Sequence, residues 1–217
     1  TYKCLELEVD DNGIAWLTIS REKALNALNA EMLSELSEGL PELFEYEDVK
    51  AIVITGAGDK AFVAGADISE FVGMSALEAR SLSQSGQEVF SMIEASPIPV
   101  IAMINGFALG GGLELALACD YRIGTRRTQF RFPETSIGIY PGLGGSQRPA
   151  RICGIPIARW AVLAGNFMDA KTASDLGMIT HLVDVAAVDD TVLQISNQGK
   201  PANKYPSQAA NLKYKAV

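Results

Sequence analysis

Two acidic residues and two glycine-containing turns are the features of this sequence that could support chemistry. Residues 106–114, GFALGGGLE, place three consecutive glycines where an apolar strand pattern gives way to a helical one. Glycine permits unusual backbone angles and close approach by a ligand, and the first N–H groups of a helix have no partner within it. Gly111 is therefore a candidate donor to an anionic oxygen, although a tight turn explains the triplet equally well.

The two acids are Glu114 and Glu134. Glu114 lies in the first turn of this predicted helix and precedes the apolar run LALAC, and Glu134 has apolar neighbours in FRFPETSIG. The helix dipole would stabilise a carboxylate at Glu114, whereas burial would raise its pKa, so the two effects oppose each other. The alternatives are a solvent-facing glutamate at 114 and an ordinary loop acid at 134.

A second turn, AFVAGADI at 61–68, has side chains small enough for a ligand to lie along its backbone. The N–H of Ala66 is a second candidate oxyanion donor, and one such donor typically contributes about 10²–10³ in rate. An ordinary bend from strand to loop is the alternative for this segment.

Strand and helix signals alternate along most of the chain that must position these residues. Alternating apolar residues at 4–9 and 14–19, around a turn at 10–13, predict an opening hairpin. Asn29 is a possible N-cap of one helix, and Ser75 with Glu78 fits the capping box of another. The other predicted elements are strands at 50–55, 100–104, 121–124 and 179–183 and helices at 113–119, 158–163 and 170–176. This order predicts an α/β fold, with only a weak helical signal from Gln194 onward.

Composition limits the classes of partner. The 217 residues are 48% hydrophobic with a net charge of −8, which favours one main globular domain and argues against nucleic acid or an anionic membrane as partner. An anionic small ligand remains compatible if positive potential is local. Three widely spaced cysteines without a CxxC pair suggest neither a disulfide framework nor a zinc site. The start carries no signal or transit pattern, so we expect a cytoplasmic protein, or a mitochondrial matrix protein if a presequence was removed.

Several motifs occur together in one order. Residues 61–68, 106–114 and 130–138 resemble the enoyl-CoA hydratase/isomerase (crotonase) superfamily, most closely its enoyl-CoA hydratases. REKALNAL at 21–28 resembles the family's early coenzyme A segment, and YPGLGGSQR at 140–148 resembles the turn after the second acid. The resemblance implies a crotonase-like (ClpP/crotonase) spiral of repeated ββα units over residues 1–183. It also implies that the tail, 184–217, belongs to a shortened C-terminal helical region.

The resemblance also implies a reaction, the reversible syn addition of water to a trans-2-enoyl-CoA to give a 3-hydroxyacyl-CoA. The N–H groups of Ala66 and Gly111 would form an oxyanion hole around the thioester oxygen. Glu114 would act mainly as base toward water, and Glu134 would supply a proton to the α-carbon. Hydration needs a base and an acid on one side of the alkene, which explains the use of two carboxyls.

The family pattern extends to the substrate and the assembly. It implies an acyl-CoA thioester substrate, no metal and no redox cofactor. It also implies a homotrimer or a dimer of trimers, and the short tail weakens the expectation of this assembly. It assigns coenzyme A contacts to Lys23, Ala24, Ala64, Asp67 and Ile68, and the acyl pocket to Gly142 and its neighbours.

Other functions remain open at this stage. In the family's isomerases the acid matching Glu134 usually acts without a second one, and a CoA-ester binding or assembly module would need neither. A serine peptidase needs a histidine beside its serine, whereas His181 is far from every glycine cluster and is better explained as structural. The GLGG at 142–145 lacks the full GxGxxG of a dinucleotide site.

Overall fold

The protein, seen in a computed structural model that describes residues 2–205, alternates strands and helices along the chain. The strands are β1 (Leu5–Val9), β2 (Ile14–Ile19), β3 (Ala51–Gly56), β4 (Ala61–Val63), β5 (Val100–Ile104), β6 (Phe107–Leu109), β7 (Tyr121–Gly124), β8 (Gln129–Arg131), β9 (Met168–Asp169) and β10 (His181–Leu182). The helices are α1 (Ala30–Glu45), α2 (Ala76–Glu94), α3 (Gly111–Ala118), α4 (Arg148–Cys153), α5 (Ile155–Ala164), α6 (Ala170–Asp175) and α7 (Val188–Gln198). Short 3₁₀ turns occur at Glu22–Ala24, Ile68–Phe71, Glu134–Ile137 and Val185–Ala187. The prediction of an α/β fold is confirmed.

The strands form two sheets, and from β3 to β8 successive strands alternate between them. The larger sheet has the order β1-β2-β3-β5-β7-β10, and the smaller one has the order β4-β6-β8-β9. From β3 to β8, each pair of strands therefore adds one strand to each sheet. The helices α2 and α3 follow two of these pairs, which produces the repeated ββα spiral that the family resemblance predicted.

The smaller sheet brings the site residues to one edge. β4, β6 and β8 are neighbours and run parallel. The carboxyl ends of parallel strands emerge on the same side of a sheet. Ala66 follows β4, Gly111 follows β6, and Glu134 follows β8, each within a few residues of the strand end. The three loops therefore converge, although the three residues are far apart in the sequence.

Helix α3 lies inside the molecule, and all of its residues are buried. It approaches β4 so closely that a Cβ on Gly112 would lie 2.0 Å from the carbonyl oxygen of Val63. Only glycine fits there without a shift of the backbone. This contact places the N-terminus of α3 beside the loop that carries Ala66.

The outer helices begin where the sequence predicted. The side chain of Asn29 accepts a hydrogen bond from the Met32 amide, and Ser75 and Glu78 form a complete capping box at the start of α2. The opening hairpin of β1 and β2 is also confirmed. These elements are specified by contacts within a few residues, which explains why local patterns identify them.

Some predicted boundaries were wrong. The helix predicted at 113–119 begins two residues earlier, at Gly111, and the strand predicted at 179–183 contains only His181 and Leu182. The expectation of a weakly helical segment from Gln194 was wrong for its first residues, because they complete α7. That helix buries Val188, Val192 and Ile195, which recur every three or four residues.

The rest of the tail, residues 206–217, lies outside the described part of the chain, so the division at residue 183 stays a prediction. The three cysteines are free and buried. Within residues 2–205, no helix is both long and apolar enough to cross a membrane.

Candidate active site

Two backbone amides, those of Ala66 and Gly111, lie close together at the edge of the smaller sheet. Ala66 and Gly111 both line one cavity. A Cβ built on Gly111 would lie 3.6 Å from the Ala66 amide nitrogen, so the two loops are in close contact. Neither N–H has a hydrogen-bond acceptor among residues 2–205. An oxygen carrying partial negative charge could accept hydrogen bonds from both groups.

Gly110, which precedes Gly111, allows the start of α3 to come close to Glu134. Gly110 has φ 48° and ψ −120°, a conformation that disfavours a side chain. A Cβ on Gly110 would also lie 2.8 Å from Oε1 of Glu134. Gly110 thus lets α3 begin directly against the second acid.

Glu114 is one turn into α3, with 2% of its surface exposed. Its Oε1 accepts hydrogen bonds from the amides of Leu143, at 2.7 Å, and Gly145, at 2.6 Å. The pKa of Glu114 is raised from 4.5 to about 7, mainly by burial and also by the nearby charge of Glu134, against the lowering effect of the two amides. Glu114 can therefore exchange a proton near neutrality.

Glu134 opens the 3₁₀ turn after β8 and is 7% exposed. Burial raises the pKa of this carboxyl as well. Its Oε2 is buried and has no hydrogen-bond partner among the described residues. An unpartnered buried oxygen is costly when it carries charge, so this environment favours the protonated acid.

Both carboxyls and both amides border the same cavity, which has a volume of about 980 Å³. Of the residues predicted from the sequence, it is lined by Ala64, Ala66, Ile68, Gly111, Glu114, Glu134 and Gly142. The cavity is large enough for an extended small-molecule ligand. The arrangement can polarise a carbonyl and move protons at atoms beside it.

The predicted coenzyme A residues divide into two groups. Ala64 and Ile68 line the cavity, whereas Lys23, Ala24 and Asp67 do not. Lys23 and Ala24 lie in the 3₁₀ turn at 22–24, next to the wall of the cavity, because the Ala64 amide donates to the Leu25 carbonyl. The Asp67 carboxylate forms an ion pair with Arg21, at 3.0 Å. The geometry gives Asp67 a role in joining these two segments.

Sequence reasoning missed the residues that fix the turn at 142–145. Ser83 and Gln87 of α2 both donate to the Gly142 carbonyl, at 2.7 Å each. Arg148 donates to the Leu143 carbonyl, at 2.9 Å. The motif at 140–148 contains Arg148, but its spacing alone does not indicate which backbone atom the guanidinium would bind.

The structure also bears on His181 and on possible metal sites. His181 contacts Thr180 through Nδ1 at 3.0 Å and packs against the Tyr121 ring, and it does not line the cavity. This position agrees with a structural histidine. Within the described residues, no group of three or more His, Cys, Asp or Glu side chains could hold a metal ion.

Comparisons with known proteins identify the family of this chain. The sequence family described as enoyl-CoA hydratase/isomerase matches residues 10–216. The chain is 41% identical to the short-chain-enoyl-CoA hydratase of Clostridium acetobutylicum over 188 residues, which are 87% of this chain and 72% of that protein. It is 40% identical to the crotonyl-CoA hydratase of Syntrophomonas wolfei over 214 residues, which are 97% of this chain and 82% of that protein.

A solved structure leads to the same assignment. The crystal structure of an enoyl-CoA hydratase from Bacillus anthracis aligns with a TM-score of 0.85 and 34% identity, covering 90% of this chain and 76% of that one. The likeness thus extends over nine tenths of this chain. This chain belongs to the enoyl-CoA hydratase/isomerase family and has the crotonase fold.

Proposed function

We propose that this protein is an enoyl-CoA hydratase that adds water reversibly to the double bond of a trans-2-enoyl-CoA. One observation carries the proposal: two amides that have no acceptor within residues 2–205 and two buried carboxyls border a single cavity. The names of its relatives, short-chain-enoyl-CoA hydratase and crotonyl-CoA hydratase, support the same reaction. The presence of a second acid, Glu114, favours hydration over isomerisation by Glu134 alone.

In the proposed reaction, the amides of Ala66 and Gly111 bind the thioester oxygen. They withdraw electron density from the conjugated alkene, so the β-carbon becomes electrophilic and the developing enolate charge is stabilised. The oxygen of a water molecule then bonds to the β-carbon while one of its protons passes to Glu114. The α-carbon receives a proton from Glu134, and the product is the 3-hydroxyacyl thioester.

Burial raises the pKa of both carboxyls, that of Glu114 to about 7, so the proposed proton inventory is argued from the hydrogen bonds of the two acids. Glu114 must begin ionised, and its two amide donors stabilise negative charge on Oε1. Glu134 must begin protonated, which its buried and unpartnered Oε2 favours. After one turnover the proton is on Glu114, and its return to Glu134 through water restores the starting state.

The substrate supplies coenzyme A, and the proposed chemistry needs no resident cofactor. Ala64 and Ile68 lie on the cavity wall, where they could contact the pantetheine arm. Lys23, exposed beside that wall, would contribute positive charge toward the nucleotide phosphates, with Ala24 next to it. Gly142 borders the cavity on the side of α2, where it would shape the acyl pocket.

The test is hydration of crotonyl-CoA, followed as the loss of ultraviolet absorbance from its conjugated thioester. We expect the purified protein to lower this absorbance until equilibrium is reached. When 3-hydroxybutyryl-CoA is the starting compound, we expect the same absorbance to appear and rise to equilibrium. No change above the rate without protein, with crotonyl-CoA and with longer enoyl-CoA esters, would contradict the proposal.

A further inference from the structure

Several backbone groups of the turn at 142–145 form hydrogen bonds with side chains from other parts of the chain. Ser83 and Gln87 of α2 bind the Gly142 carbonyl, and Arg148 binds the Leu143 carbonyl. The amides of Leu143 and Gly145 point the other way and donate to Glu114. The position of the Glu114 carboxyl therefore depends on how firmly this turn is held.

Arg148 is the charged member of this arrangement. Its side chain is only 8% exposed, and its Nε and Nη2 contact Oε2 of Glu94, at 3.1 Å and 3.0 Å. Glu94 is the last residue of α2. A Cβ on Gly144 would lie 2.0 Å from Nη1 of Arg148, so the guanidinium fits directly against the turn. A guanidinium holds its donors in a fixed planar fork, so it can bind the carboxylate through two donors and the carbonyl through a third, a geometry that an ammonium does not reproduce.

We propose that Arg148, itself held by Glu94, is a positioning residue for Glu114. It contacts no reacting atom and is absent from the cavity lining. It acts by fixing the Leu143 carbonyl, so that the two amides of the turn stay aimed at Glu114. The inference rests on the proposed function in so far as Glu114 is the base of a hydration reaction.

Removal of the guanidinium should change both the geometry and the proton affinity of Glu114. The two amides and the charge of Arg148 all lower the pKa of Glu114. If these interactions weaken, less remains to counter the effect of burial, so the pKa of Glu114 should rise. A displacement of about 1 Å in a reacting group can cost about 10²-fold in rate.

The test compares Arg148→Gln with wild type in two measurements. We expect kcat for crotonyl-CoA hydration to fall by about 10-fold to 100-fold, with KM changed by less than about threefold. We also expect the titration of Glu114, followed by NMR of its carboxyl carbon, to move to higher pH. Arg148→Lys should give intermediate effects, because it keeps the charge but lacks the fixed planar fork of donors.

Arg122→Gln is the matched control. Arg122 is also buried and donates to the carbonyls of Met178 and Cys119, and its side-chain hydrogen bonds among the described residues do not include the turn. This change removes a buried guanidinium without touching the turn, so the Glu114 titration and kcat should stay as in wild type. A general loss of stability would affect both variants alike, and thermal unfolding measures it.

Two results would overturn the inference: folded Arg148 variants with an unchanged Glu114 titration, or an equal shift in Arg122→Gln. If Arg148→Gln does not fold, Arg148→Lys and Glu94→Gln decide the question with the same two measurements. If wild type hydrates no enoyl-CoA, the proposed function fails, whereas the NMR titration still decides whether Arg148 positions Glu114.

Discussion

The two carboxyls of the cavity are buried to a similar degree but differ in their hydrogen bonds. Glu114 accepts two amide donors on one oxygen, whereas Oε2 of Glu134 has none among the described residues. Donors stabilise the charged form and burial without donors stabilises the neutral form. The proposed division into a base and a proton donor therefore rests on these hydrogen bonds, since burial raises the pKa of both carboxyls, that of Glu114 to about 7.

Glu134→Gln tests the proton donor. The amide has nearly the same shape but no acidic proton, so we expect kcat for hydration to fall by about 10²–10⁴-fold while the Kd of a CoA ester changes little. Steady-state kinetics and calorimetric titration with a non-reactive CoA thioester measure the two effects. Turnover equal to wild type would refute the role assigned to Glu134.

Glu114→Gln tests which of the two acids acts as the base toward water. A hydration reaction needs a base toward water, whereas an isomerisation can use Glu134 alone, so hydration should fall more than isomerisation. Hydration of crotonyl-CoA and isomerisation of a 3-enoyl-CoA, measured on the same preparation, give the comparison. Equal losses would contradict the division of roles.

The pH dependence of hydration should follow Glu114. Its pKa is raised from 4.5 to about 7, and only its ionised form can accept a proton from water. We therefore expect log(kcat/KM) to fall with unit slope as pH drops below about 7. Thermal unfolding over the same range controls for acid denaturation. A profile that is flat across this range would mean that Glu114 does not act as the base.

At the scale of elements, the N-terminus of α3 is placed by a close contact between helix and strand. Gly112 faces the Val63 carbonyl without room for a methyl group, whereas a Cβ on Gly111 would meet Leu28 at 3.0 Å and Leu143 at 3.3 Å, both flexible side chains. Adjacent glycines in one helix therefore serve different purposes. One permits packing, and the other borders the cavity.

Comparison of Gly112→Ala with Gly111→Ala tests this distinction. Gly112→Ala should lower the free energy of unfolding by more than about 2 kcal/mol, because the backbone of α3 or β4 must shift. Gly111→Ala should fold with a smaller loss but bind CoA esters less well, since its methyl group would narrow the proposed oxyanion hole. Chemical denaturation and CoA-ester titration separate the two. Equal stability of both variants would argue against the packing role of Gly112.

Local patterns predicted most of the regular elements but not their ends. The capping box at Ser75 and the cap at Asn29 involve atoms three residues apart, so the sequence displays them directly. Helix α4 was not predicted, because its six residues follow a glycine turn and show too little periodicity. In α7 the spacing of Val188, Val192 and Ile195 was an available signal.

At the scale of the whole molecule, large apolar side chains remain exposed on α5. Ile155, Trp160 and Leu163 are 53%, 43% and 70% exposed. Exposed apolar groups on one helix are often covered by another protein surface. They are compatible with the homotrimer or dimer of trimers that the family resemblance implies, which stays a prediction.

Light scattering coupled to size-exclusion chromatography tests that prediction. We expect a mass of three or six times the 23.2 kDa of one chain, independent of concentration over the micromolar range. A dilution series is the control for weak association. A mass of one chain throughout the series would show that the assembly does not form.

The sequence alone determined the class of fold, the main helices and strands, and the residues that could act in the site. These follow from periodicity, caps and glycine turns, whose physical causes lie within a few residues. Tertiary structure decided which carboxyl receives amide donors, how strongly each is desolvated, and that Arg148 joins Glu94 to the turn. Those properties arise between residues 29 to 54 positions apart, where no local pattern records the contact.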